Sequence, residues 1–121
     1  MKKANKLANS KKLIKQLPTW SGASVFQYSI SILGLTEIHY GNIKKNSPIN
    51  IKSEHFNALL ENLKGKEIKV GTSKTNPPKG SLGAWLQKNV SQTVTASYVA
   101  PILIEEGFAE RVEDTASIKI L

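Results

Sequence analysis

Hydrophobic positions change their period several times along this chain, and each change marks an element. In residues 24–33, Phe26, Tyr28, Ile30 and Ile32 fall on one side, while Gln27, Ser29 and Ser31 fall on the other. Period two in aromatic and β-branched residues predicts a half-buried strand, with a helix as the alternative for an apolar run of this length. Gly34 breaks the run, Thr36 to Tyr40 is again strand-like, Gly41-Asn42 ends it, and Ile49 and Ile51 around Asn50 give one more short strand. From Ser53 the period becomes helical: Phe56, Leu59, Leu60 and Leu63 recur at i, i+3, i+4 and i+7, a single buried stripe. Ser53 is the expected N-cap and Glu54 suits the positive end of the helix dipole. Gly65 suits the left-handed residue that ends a helix. Ile68 and Val70 alternate with lysines in a strand from Glu67 to Thr72, and the stretch GTSKTNPPKG over residues 71–80 is a loop, because Pro77-Pro78 bars helix and central strand alike.

The last forty-one residues read as helix, turn, helix and hairpin. Ser81 caps a helix reaching about Asn89, with Leu82, Trp85, Leu86 and Val90 on its apolar stripe. Residues 90–94 turn. A second helix runs from about Thr95 to Glu106, with Ala96, Val99, Ile102 and Leu103 inward, and Gly107 closes it. Phe108 to Val112 and Ala116 to Leu121 are expected to pair. Pro101 interrupts this pattern. Inside a helix it removes a backbone hydrogen bond and costs roughly 3 kcal/mol, so the helix is expected to start late, near Ser97, or to kink.

The stretch LGAWLQKNVSQTVTASYVAPILIEEGFAERV resembles the helix-turn-helix and first wing strand of winged-helix proteins. Glu105, Glu106, Gly107, Phe108, Glu110, Arg111 and Val112 carry the match. The helix from Phe56 and the strand from Ile68 fit the preceding helix and first strand of the wing sheet, so the resemblance covers about residues 53–121. The expected fold is α+β: a small antiparallel β part followed by a winged helix-turn-helix-like module. Its parts are a basic flexible arm (1–18), a β-rich N-terminal part (19–52) and the module (53–121), together one compact domain. The resemblance implies that the helix after Thr95 is the recognition helix. It would offer Gln92, Thr93, Thr95, Ser97 and Tyr98 near its N-terminus, where hydroxyls, amides and backbone N–H groups suit phosphates and base edges. Taken singly, Thr95 and Ser97 are better explained as caps and Tyr98 as a core side chain.

Charge sharpens this picture and then complicates it. The formal net charge is +8, carried unevenly: +8 over residues 1–52, +3 over 53–104 and −3 over 105–121. Such an excess favours polyanionic partners. Sixteen of the seventeen cations are lysine, which meets phosphate as a point charge and reads bases less well than arginine. The candidate phosphate contacts are Lys11, Lys12 and Lys15 in the arm, and Lys74, Lys79 and Lys88 around the Pro-Pro loop and the first C-terminal helix. Against this, no Lys or Arg occurs from Ser91 to Gly107, and the wing from Glu110 to Lys119 is acidic on balance. Those features favour a protein–protein module, an adaptor or inhibitor, as the alternative, and an exposed sheet edge allows a homodimer.

Little here suggests catalysis. His39 and His55 lack partners at metal-ligand spacing. Glu37 and His39 share a strand face, an arrangement capable of acid–base work but more often a surface contact. Residues 71–74 lack the spacing of a phosphate-binding loop, and Phe26 and Tyr28, in an aliphatic stripe, read as core more than as a base-stacking platform. No metal or cofactor is expected. The absence of cysteine excludes disulfides and thiolate ligands. No apolar run reaches the length of a membrane span, nor does the start of the chain carry a signal-peptide core, so a cytoplasmic protein without a membrane partner is expected. The expected function is non-enzymatic binding of double-stranded DNA.

Overall fold

The computed structural model describes residues 14–31, 34–41, 46–73, 75–113 and 115–121. Strands β1 (Lys15–Pro18), β2 (Val25–Ile30), β3 (Thr36–Tyr40) and β4 (Ile49–Ile51) form an antiparallel sheet in chain order, a meander. Then follow helix α1 (Ser53–Leu63), strand β5 (Glu67–Lys69), helices α2 (Leu82–Asn89) and α3 (Ala96–Glu105), and strands β6 (Ala109–Val112) and β7 (Ser117–Ile120). The last three strands make a second antiparallel sheet in the order β5-β7-β6. The fold is therefore α+β, with helices and antiparallel sheets in one chain.

β2 shows why the meander forms. Phe26 and Tyr28 are buried while Gln27 between them is only half-buried, and the register pairs Tyr28 with Ile38 across to β3. The alternation stops at the strand's end: Ser29 is 3% exposed and Ile30 37%. Ile30 there borders a groove with Phe56 and Phe108 instead of entering the core. Ile32 lies outside the described residues.

β1 falls within the stretch expected to be a loose arm. Leu17 pairs with Phe26 and Lys15 with Tyr28 along the free edge of β2. Leu17 packs against the core, and the Lys15 ammonium meets the carboxylate of Glu106 at 3.0 Å. Ladder bonds and that ion pair outweigh the self-repulsion of the lysine run. Pro18, which has no N–H, ends an edge strand, where a missing donor costs nothing. The rest of the arm, with Lys11 and Lys12, lies outside the described residues.

α1 buries Leu59 and Leu63, as its stripe predicts, but Ser53 does not cap it. Lys52 occupies the N-cap with extended backbone and no side-chain bond, and Ser53 is the first helical residue. α2 is capped as expected, with Ser81 Oγ accepting from the Ala84 amide at 3.1 Å. Its second residue, Gly83, donates its N–H to the Val70 carbonyl at 2.9 Å. A Cβ at Gly83 would overlap the Gly71 carbonyl oxygen. Only glycine allows the helix to sit this close to the chain that leaves β5.

α3 begins at Ala96, not late, and continues through Pro101. Proline leaves one acceptor of the preceding turn, Ser97 O, without its usual donor. In this fold the Trp20 amide, in the turn between β1 and β2, donates to Ser97 O at 3.0 Å. At the other end Phe108 N–H bonds Leu103 O and Gly107 N–H bonds Ile104 O, with Gly107 at φ +86°. This six-to-one, five-to-two pair is the left-handed glycine stop that the sequence signals. Phe26, Tyr28 and Ile38 of the meander share one contiguous core with Leu86 of α2, Val99 and Leu103 of α3, and Ile118 and Ile120 of β7. α3 touches β1, α2 and β6.

Candidate functional site

The helix expected to read DNA is largely covered. Ala96, Val99, Ala100, Ile102 and Leu103 of α3 are buried, and Ser97, Tyr98, Pro101 and Ile104 are half-buried. Three contacts bring the meander onto it. Trp20 bonds Ser97 O as described. Tyr98 lies edge-on to Phe26 at 5.2 Å between ring centroids and 5.8 Å from Tyr40. Glu106, the C-cap, accepts the Tyr28 hydroxyl at 2.6 Å and the Lys15 ammonium at 3.0 Å on the same oxygen, and Glu105 stands 3.8 Å from Lys15. The first of the predicted site residues to be placed are thus structural. Lys15 is engaged by carboxylates, and Tyr98 packs against two other rings.

The same cluster shifts its ionisable groups. Burial raises the Tyr28 phenol well above its ordinary range, and the neighbouring Glu106 carboxylate adds to this. Burial also works to raise Glu106, but the hydrogen bonds from Tyr28 and Lys15 together outweigh it and hold the carboxyl below the ordinary value. Lys15 is raised, chiefly by its hydrogen bond to Glu106. Tyr98 is raised by burial first and by Tyr40 second. All four shifts favour the ion-paired or neutral form already present, so these groups hold the fold and are poorly suited to proton transfer at neutral pH.

Four predicted residues do gather. Gln92, Thr93, Thr95 and Tyr98 line a small recess of about 150 Å³ with Tyr40 and Ile49. Gln92 and Thr93 are exposed, while Thr95 is 7% exposed and its Oγ1 has no hydrogen-bond partner. Thr95 occupies the N-cap without making the cap bond. Ser97 is not part of this recess.

A larger cleft lies elsewhere. About 580 Å³ in volume, it is lined by Leu63 from the end of α1, Lys66 and Ile68 at β5, Lys79 to Ser81 of the following loop, and Ala84, Trp85, Lys88 and Asn89 of α2. Ala84 and Lys88 are four apart, and Trp85 lies between them on the same side, so one face of α2 supplies the wall. Asn89 is held by donating to the Trp85 carbonyl at 2.9 Å. The floor is apolar and the rim carries three exposed ammonium groups, Lys66, Lys79 and Lys88. None of the three makes an ion pair among the described residues, and no carboxylate lines the cleft. Lys79 and Lys88 were singled out in the sequence. Lys74 lies outside the described residues.

Two residues of the cleft lining, Lys66 and Trp85, are not singled out as site residues by the sequence. Lys66 sits in the tight link between α1 and β5, where nothing local distinguishes it from any surface lysine. Trp85 matches the apolar stripe and reads as core, yet it borders the cleft and is only half-buried. Its spacing of three from Lys88 was the available signal.

His39 Nε2 lies 3.5 Å from Glu37 Oε1 on β3, so that expected face-sharing pair forms at the surface. Among the described residues no three His, Cys, Asp or Glu side chains converge as a metal site, and no helix is long and apolar enough to cross a membrane. No protein-family model matches the chain, and comparison with curated proteins and with solved structures gives no match.

Proposed function

We propose that this chain is a nucleic-acid-binding protein whose contact surface is the lysine-rimmed cleft of α2, with residues 53–121 forming a winged-helix module. The order α1-β5-α2-α3-β6-β7 with β5 beside β7 supports the winged-helix assignment. One observation carries the binding surface: Lys66, Lys79 and Lys88, from three separate segments, ring one recess that no carboxylate lines among the described residues. Unpaired ammonium groups at that density repel one another, and phosphates relieve the repulsion. The meander occupies the face of α3 that would otherwise enter a groove, so backbone contact through α2 replaces reading by α3. Such a partner suits the cytoplasmic location expected from the sequence.

Fluorescence anisotropy with a labelled oligonucleotide at two salt concentrations tests this. Binding at low salt should weaken steeply as salt rises. Replacing Lys66, Lys79 and Lys88 by alanine should flatten the log–log salt slope by up to about 2–3, since each phosphate contact contributes roughly 0.7–0.9. No binding at low salt, or an unchanged slope in the triple variant, would overturn the proposal.

A protein partner is the second reading, favoured by a different observation. Phe108 and Leu121 are 45% and 51% exposed and lie side by side, the Leu121 amide donating to Phe108 O at 3.0 Å. A stable complex or dimer in light scattering, unaffected by the three lysine changes, would support it.

A further inference from the structure

We infer that the α2 cleft takes an unpaired nucleobase against Trp85, so that the partner is single-stranded or locally unpaired nucleic acid in preference to intact duplex. This inference rests on the nucleic-acid reading above and names the ligand class of the same site.

Phosphate binding alone needs only exposed cations. This site has more than that: a recess of about 580 Å³ with Leu63, Ile68, Ala84 and Trp85 as its apolar lining. The lysines stand at its rim, while the apolar lining lies within. A polyanion that touched the rim alone would leave a half-exposed tryptophan and an aliphatic floor in water. The chemistry that satisfies both parts at once is a flat, apolar-faced ring joined to a phosphate, which describes a nucleotide. Bases inside a duplex cannot provide it, because their faces are covered by neighbouring pairs. An unstacked base presents its π-face, and stacking on an aromatic side chain tolerates any base. Asn89, fixed beside Trp85 through its own side-chain bond to the Trp85 carbonyl, keeps its amide oxygen available at the rim for a base edge. Lysine, with a long flexible stem, lets three point charges follow a single-stranded backbone that has no fixed groove spacing.

The test uses the full chain carrying Trp20→Phe, which leaves Trp85 as the sole tryptophan. A thymidine octanucleotide and a hairpin of matched charge, its paired strands joined by a non-nucleotide linker so that no base is unpaired, are titrated at low salt. Trp85 fluorescence should be quenched by the single strand and little changed by the hairpin, with the single strand binding at least about five-fold tighter. In the parent chain, Trp85→Leu keeps apolar volume and removes the ring face. It should weaken single-strand binding about ten-fold and leave hairpin binding within about two-fold, whereas Trp85→Phe should recover most of the loss. The lysine variants should weaken both ligands. Equal binding of both ligands with Trp85 unquenched would overturn the base pocket and leave the lysine surface standing. Failure to bind either ligand would overturn both. Equal losses for both ligands in Trp85→Leu, unrescued by Trp85→Phe, would mark Trp85 as structural and overturn the inference alone.

Discussion

Glu106 is the side chain on which the joint between the meander and α3 converges. One carboxylate oxygen accepts from Tyr28 and from Lys15, so the strength of this joint depends on Glu106 being ionised. Its depressed pKa fixes the sign. Below its ordinary value near 4.5, the unfolded chain takes up a proton that the folded chain resists, so acid favours unfolding. The contribution is complete above about pH 4.5 and is lost as pH falls through the lower folded value. Tyr28 and Lys15, both raised, set the opposite edge: their contributions hold below their ordinary values of 10.0 and 10.5 and are lost as pH climbs beyond them. Thermal melts across this range should show a plateau with falls at both ends. In Glu106→Gln the acid fall should be shallower. Tyr28→Phe should cost about 1.5 kcal/mol, as for a hydrogen bond to a charged acceptor, and an identical melting profile in both variants would remove the clamp from the account.

At the scale of elements, local rules account for most of what forms and tertiary contact for the rest. The Ser81 cap, the Gly107 stop, the α1 stripe and the β2 alternation through Tyr28 all obey short-range chemistry, which is why they were legible. Pro101 was legible as a problem but not in its resolution, because the donor that meets Ser97 O comes from Trp20, far away in the chain. A helix with a free carbonyl is thereby tied to a turn that needs an acceptor. The Trp20 amide should therefore resist hydrogen exchange although it lies outside any strand ladder. Pro101→Ala, which supplies a competing donor to Ser97 O, should speed that exchange. An amide that exchanges as fast as that of Ser21 would contradict the tie. β1 was missed for a similar reason: the charge run argued for a loose arm, and only β2's open edge and Glu106, the C-cap of α3, make a strand of it. Gly83 reads as an ordinary weak point in a helix until the Gly71 carbonyl is placed against it. Gly83→Ala should cost about 1–3 kcal/mol through overpacking, measurable by urea denaturation, although alanine is the better helix former.

For the whole molecule, the question is whether the meander and the helical part are separable. The sequence reading set a β part and a module within one compact domain, and the core they share is contiguous, running from Phe26 and Ile38 through Leu86 and Leu103 to Ile120. That continuity also explains why the candidate site was only partly legible. Lys79 and Lys88 could be named from charge alone, whereas Lys66 joins them only once α1, β5 and α2 have packed. It likewise explains why Ser97 and Tyr98 are half-buried, since Trp20, Phe26 and Tyr40 pack against their side of α3. A single core predicts a single cooperative transition. The two tryptophans test this directly: Trp20 reports from the meander, stacked under the Arg111 guanidinium at 3.9 Å, and Trp85 from α2. Single-tryptophan variants, Trp85→Phe and Trp20→Phe, should each give a fluorescence midpoint in urea coincident with that variant's own far-ultraviolet circular dichroism. Isolated residues 53–121 would expose the apolar faces of α1 and α3 that Phe26, Tyr28, Ile38, Ile49 and Ile51 now help to bury, and should not fold stably alone. If the Trp20 signal instead melted well before the Trp85 signal and the circular dichroism, the meander would be a detachable layer, and α3 would regain its claim to a groove.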